Sequence, residues 1–215
     1  MTEPTERAWA TIDLNALRKN LARVHGLCPE SKIIPVIKSS AYGHGMEQAA
    51  RALKDPHTRI TAFAVATLTE ALELKQLDLE SPILLLNGFV SAEELVLCLE
   101  ARIEPVIHSP YQVELLEAQF AAEIFGDKRK LWLKHNSGMN RLGMTAESCV
   151  EAYTKLHKYP GTEFVLMTHL GYADDMNNPD SREFTARQME KFNAVHEEVL
   201  AARQEPIPCS VAASA

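Results

Sequence analysis

Between Ile60 and Pro110 the chain reads ITAFAVATLTEALELKQLDLESPILLLNGFVSAEELVLCLEARIEPVIHSP, and this stretch decides the fold. Its apolar runs, Ile60 to Ala66, Pro82 to Asn87 and Ile103 to Ile107, lack the polar alternation of a sheet with one wet face. Strands buried on both faces read this way. Between them lie helices with legible starts. Thr67-Leu-Thr-Glu70 and Ser91-Ala-Glu-Glu94 have capping-box spacing, and Ser109-Pro110 sets an N-cap before a proline at the first helical position. Doubly buried strands separated by helices imply a parallel sheet.

The same alternation extends in both directions. Lys32 to Lys38, Lys130 to His135, Phe164 to Thr168 and Ile207 to Ala212 read as further strands, and Ala8 to Asp13 as one more. Leu14, Leu17, Leu21 and Val24 put a single apolar stripe on one helix, and Phe184, Met189, Phe192, Val195 and Val199 on another. Pro160-Gly161 stops a helix before the next strand. Roughly eight βα units in a row predict an α/β protein with a (β/α)8, TIM-type barrel rather than a doubly wound sheet. Such barrels take about 250 residues, and this chain has 215. Either the barrel is compact, or one of the eight strands stands outside it.

Lys+Arg 22 against Asp+Glu 29 gives a net charge of −7, which argues against nucleic acid as the main partner. A hydrophobic share of 46% with 24% charged residues suits one buried core. No apolar run approaches the roughly 18 residues that span a bilayer, and the opening Met1-Thr-Glu-Pro lacks a signal peptide's pattern, so a cytoplasmic protein without membrane contact is expected. Cys28, Cys98, Cys149 and Cys209 show no paired spacing and read as reduced thiols; no metal site is expected. Lys128-Arg-Lys130 reads as a solvated turn.

In a barrel, chemistry sits where strands end. The first such end is Val36-Ile-Lys38-Ser-Ser-Ala-Tyr42-Gly-His-Gly45. A lysine closing a buried apolar strand is costly to keep charged and can serve as an amine nucleophile. The helix starting near Met46 offers its N-terminal dipole to a phosphate. Equally, Lys38 could snorkel to solvent before a glycine turn. Physics alone leaves both readings open.

Here the motifs carry a resemblance. Lys38-Ser-Ser-Ala-Tyr-Gly-His-Gly resembles the cofactor-lysine signature of the alanine racemases, departing at Ser39 and Ser40. Ala10-Thr-Ile-Asp13-Leu-Asn-Ala-Leu-Arg-Lys-Asn20-Leu is similar to that family's opening. Lys134-His-Asn-Ser-Gly138-Met-Asn-Arg141-Leu-Gly143 matches its second block, with Asn136 in place of the usual Asp. Thr168-His169 through Ala173-Asp174 matches a third, and Ser210-Val-Ala-Ala213-Ser214-Ala215 a fourth, with Ala213 in place of Asn.

The resemblance implies a pyridoxal 5'-phosphate enzyme interconverting L- and D-alanine, with Lys38 carrying the cofactor as an internal aldimine and serving as base on one face. It implies that Tyr42 and Ser214 contact the cofactor phosphate and that His169 lies beside the ring. Arg141 would contact cofactor and substrate carboxylate, and Lys134, often carbamylated in the family, would hold that arginine. It further implies a homodimer and a C-terminal β-domain beyond this chain. Residues 1–31 would then be an N-terminal strand and helix, and residues 32–215 an incomplete barrel of about seven strands. In this reading the chain is the N-terminal part of a racemase and is not expected to racemise alanine by itself. Two other readings stand beside it: a stand-alone pyridoxal-phosphate-binding barrel of the homeostasis type, and a remnant that binds nothing.

Overall fold

The structure, a computed structural model, describes residues 8–54, 60–121, 128–203 and 206–212. Six parallel strands form one sheet: β1 (Phe63–Val65), β2 (Ile83–Leu85), β3 (Ile103–Ile107), β4 (Arg129–Lys134), β5 (Thr162–His169) and β6 (Cys209–Ala212). They lie in the order of the chain, each paired with its sequence neighbour. Parallel neighbours need a crossover. Helices α4 (Leu68–Lys75), α5 (Ala92–Glu100), α6 (Pro110–Ala121), α7 (Ala146–Leu156) and α8 (Pro179–Arg203) lie between successive strands. Ahead of them come α1 (Leu14–Leu27), the short turn α2 (Lys38–Tyr42) and α3 (Met46–Leu53).

The helix starts form as their sequences dictate. Thr67 and Glu70 make a reciprocal capping box on α4, and Ser91 Oγ accepts from Glu94 N at 3.3 Å on α5. The apolar runs are explained by two-sided burial. Phe63, Leu85, Leu131, Leu133 and Leu166 pack outward against the helices. Ala64, Leu84, Val106, Trp132, Val165 and Met167 form a separate buried layer on the opposite, concave face, with Ile34 and Leu86 against it. That inner layer is the interior of a partial barrel.

Two strand expectations are corrected. Lys32 to Lys38 is not a continuous strand but meets β1 through isolated bridges, Ile33 with Ile60 and Val36 with Ala64. Ile37 N donates to Ala64 O at 2.9 Å, and Ile33 and Pro35 carbonyls accept from Thr61 and Ala64. Pro35 has no N–H to contribute between them, so the ladder breaks there. Ala8 to Asp13 is no strand at all. Among the described residues it pairs with nothing, and Asp13 instead caps α1, its Oδ1 accepting from Asn15 N at 2.8 Å and Ala16 N at 3.1 Å. The described sheet therefore runs from the 33–36 segment to β6 without a ladder joining its two edges.

The expected solvated turn at Lys128-Arg-Lys130 is also corrected, since Arg129 and Lys130 begin β4. Lys130 Nζ reaches Glu104 Oε1 at 3.3 Å, and Trp132 Nε1 donates to Glu104 Oε2 at 2.8 Å. The strand's inward parity carries these side chains into the barrel, where Glu104 satisfies both donors.

Candidate active site

The 33–36 segment ends in Lys38. Ile34 packs on the inner layer, and after Val36 the backbone leaves the extended conformation at Ile37. Lys38 opens a turn in which Ser39, Ser40, Ala41 and Tyr42 all have left-handed φ, from 52 to 55°. Each such non-glycine residue costs about 1–2 kcal/mol. Its hydrogen bonds hold it: Ala41 N to Ile37 O at 2.9 Å, Gly43 N to Ser39 O at 3.1 Å and Gly45 N to Ser40 O at 2.8 Å. Ala41 is buried beneath it. The turn brings Lys38 Nζ to 6.0 Å from the centre of the exposed Tyr42 ring. Backbone strain of this kind clusters at ligand sites.

A carboxylate anchors the turn from outside. Glu70 Oε1 accepts from Ser39 N at 2.7 Å, while Oε2 accepts from Ala66 N at 2.8 Å and Thr67 N at 3.1 Å. Burial alone would raise the Glu70 carboxyl, but the N–H groups of Ser39, Thr67 and Ala66 outweigh it and hold it below the usual range.

Lys134 ends β4 and is buried, 7% exposed. Burial, then the charges of Arg141 and Lys38, push its ammonium below the ordinary lysine range. The loop that follows bends back so that Met144 bridges His135, with Met144 N donating to Lys134 O at 2.8 Å and Asn136 N to Met144 O at 2.9 Å. Asn136 organises this loop with both ends of its amide, Nδ2 donating to Asn140 Oδ1 at 3.0 Å. Its Oδ1 accepts from Asn140 N at 2.9 Å and Gly138 N at 3.2 Å. Arg141 stands exposed at its rim.

His169 ends β5, half-buried and paired in register with Ala212 of β6. Burial lowers its pKa first, and the charges of Lys134, Arg141 and Lys38 lower it further, all in the direction that favours the neutral ring. Lys134 and His169 thus end neighbouring strands at the C-terminal mouth of the barrel, and the charges of Arg141 and Lys38 bear on both. Among the described residues none of the four is ion-paired with an acid. Ser214 lies outside the described residues. α3 begins at Met46 with no side-chain cap on its N-terminus.

Supporting residues were not legible as site residues in the sequence. Besides Glu70, the buried hydroxyls of Ser137 and Thr168 meet at 2.8 Å, and Thr168 Oγ1 donates to His135 O at 3.0 Å, pinning the loop of Arg141 to β5. Gln188 of α8 clamps Gly171, accepting from its N and donating to its O, both at 2.8 Å. A cavity of about 870 Å³ lies instead at the N-terminal ends of the strands, lined by Asp78, Arg102, Glu104 and Lys130 among others, and holds none of the motif residues.

The described residues form a partial (β/α)8 barrel in which the motif residues Lys134 and His169 end strands at the C-terminal mouth, the face on which barrels of this class build their sites. The chain belongs to the family described as alanine racemase, N-terminal domain, whose pattern matches residues 12–215. It is 43% identical over 177 residues to the alanine racemase of Xylella fastidiosa (strain 9a5c), covering 82% of this chain and 47% of that protein. It is 37% identical over 196 residues to that of Coxiella burnetii (strain RSA 331 / Henzerling II), covering 90% and 50%. Among solved structures, alanine racemase from Acinetobacter baumannii matches with a TM-score of 0.79 at 36% identity, covering 93% of this chain and 55% of that one. Alanine racemase from Clostridium difficile 630 matches with a TM-score of 0.82 at 28% identity, covering 97% and 56%. The chain thus spans about half the length of the curated relatives it matches.

Proposed function

We propose that this chain is the cofactor-binding barrel of a pyridoxal-phosphate-dependent alanine racemase. The observation that carries the reading is that Lys134 and His169 end the neighbouring strands β4 and β5, where the charges of Arg141 and Lys38 act on both, and that among the described residues none of the four is ion-paired with an acid. Pyridoxal 5'-phosphate presents an aldehyde, a phenolate and a phosphate, and the Lys38 amine, the Arg141 guanidinium and the Tyr42 hydroxyl fit those three groups in turn. When bound, the cofactor's ring supplies a sink for the negative charge left at the amino-acid Cα once its proton is removed.

The chain's own residues do the rest. Lys38 holds the cofactor through its amine, and its Nζ takes and returns the Cα proton on one face. The Tyr42 hydroxyl and Ser214 bind the phosphate. Arg141 orients the substrate carboxylate by a charge-assisted contact. His169, whose pKa burial and the neighbouring cations lower, lies beside the ring. Lys134 is available for carbamylation: its lowered pKa enriches the neutral amine, which adds carbon dioxide with loss of one proton, and the resulting anion would hold Arg141.

In this reading alanine is the substrate and D-alanine for peptidoglycan the product. The assembly is a homodimer and the compartment the cytoplasm. Residues 1–31 form a leading unit and residues 32–215 the barrel. Family membership supports these assignments, and among the described residues no helix is long and apolar enough to cross a membrane.

The test is covalent trapping. After incubation with pyridoxal 5'-phosphate and reduction with borohydride, peptide mapping is expected to find the pyridoxyl group on Lys38. Label confined to another lysine, or none, refutes the reading.

A further inference from the structure

The Glu70 carboxylate has more partners than a helix cap needs. A capping-box glutamate returns to the N-cap N–H of its own helix, and Oε2 does this at Thr67, taking Ala66 N as well. The other oxygen crosses to a different βα unit and takes the N–H of Ser39, the residue directly after Lys38, at 2.7 Å. One side chain on α4 therefore ties the C-terminal end of β1 to the start of the left-handed turn. The turn is strained at four successive residues, Ser39 to Tyr42, and Ser39 N has no helical partner available at that position.

We propose that Glu70 is a positioning residue for Lys38, fixing the backbone of the turn so that the lysine amine is held at the mouth of the barrel. The proposal rests on the functional reading above. It requires an acceptor on both oxygens. Glutamine has one acceptor oxygen and one amide donor, so Glu70→Gln must leave either Ser39 N or the Ala66 and Thr67 pair facing a donor. Glu70→Asp keeps the charge but falls one methylene short. Thr67→Ala is the control: it removes the hydroxyl that accepts from Glu70 N at 3.3 Å and also hydrogen-bonds the Glu70 carboxylate, but leaves the carboxylate itself and its link to Ser39 N in place.

Two readouts test this in the full chain. Native-state hydrogen exchange follows the Ser39 amide, and pyridoxal 5'-phosphate with borohydride gives the rate of trapping at Lys38. Glu70→Gln, and Glu70→Asp as the second variant, are expected to speed Ser39 exchange and slow trapping, each on the order of tenfold, the loss expected for one hydrogen bond to a charged acceptor. Thr67→Ala is expected to lower the melting temperature and change neither. Trapping at the wild-type rate in both Glu70 variants, or slowed equally by Thr67→Ala, would overturn the positioning role. Failure of the wild-type chain itself to be trapped at Lys38 would remove the functional reading and this role with it.

Discussion

Replacing Gly143 with alanine probes how the loop carrying Arg141 is held. Gly143 has φ +128°, and a Cβ there would sit 2.7 Å from Asn136 N and 3.0 Å from both Asn136 Cα and His135 C. Those are backbone atoms of the bridge between His135 and Met144, so no side-chain rotation relieves the collision. The unfavourable φ costs about 1–2 kcal/mol and the overpacking about 1–3, set against a gain of about 0.4–1 from the stiffer unfolded chain. The net loss is about 3 kcal/mol. Gly43→Ala isolates the conformational part, because its φ is +85° and nothing lies within 4 Å of the added carbon. That change should cost about 1 kcal/mol. At roughly 2–4 °C per kcal/mol for a chain of this size, thermal unfolding should fall by about 6–12 °C in Gly143→Ala and about 2–4 °C in Gly43→Ala. Equal melting temperatures in the two variants would show that the backbone contact at Gly143 does not constrain the loop.

Lys134→Met removes a buried cation that faces Arg141 and Lys38, so without any bound anion it should raise the melting temperature by a few degrees, about 1 kcal/mol, while reducing capture of pyridoxal 5'-phosphate. A lower melting temperature in anion-free buffer would contradict the repulsion. His169 has a folded-state pKa below its unfolded value, so as pH falls the unfolded chain takes up the proton first, and stability is lost from about pH 6.5 downward. His169→Gln should flatten that acid-side fall in melting temperature, leaving the part due to His135, which is lowered in the same direction; an unchanged profile would refute the assignment.

The strands from Ile60 to His169 were legible because parallel strands buried on both faces need uninterrupted apolar runs, and the helices because Thr67, Ser91 and Pro110 announce their starts locally. Ala8 to Asp13 misled because strand propensity says nothing about whether a partner edge is available. In Lys32 to Lys38 the apolar pattern outweighed Pro35, whose missing donor breaks the ladder. Lys38, Lys134, His169 and Ser214 were read as motif residues at strand ends; β4 does end at Lys134 and β5 at His169, whereas Lys38 opens a turn after isolated bridges and Ser214 lies outside the described residues. The left-handed turn was invisible, since Ser39 to Tyr42 contain no glycine to announce it. Glu70 was read as a cap, but its second partner is 31 residues distant, and no local spacing encodes that. Gln188 interrupts the apolar stripe between Phe184 and Met189, a buried polar residue whose reason is tertiary: it satisfies Gly171.

Because spatial order in the sheet repeats chain order, the molecule can be assembled in the direction of its own synthesis. Each strand leaving the ribosome meets a template already in place, the strand made just before it, and needs nothing still untranslated to pair. Loop closures stay within one βα unit, which keeps the entropic cost of each docking step small. During growth one edge, at the 33–36 segment, stays fixed while the other advances and is covered by each next arrival, so nascent chains halted between units should differ only in which strand forms the advancing edge.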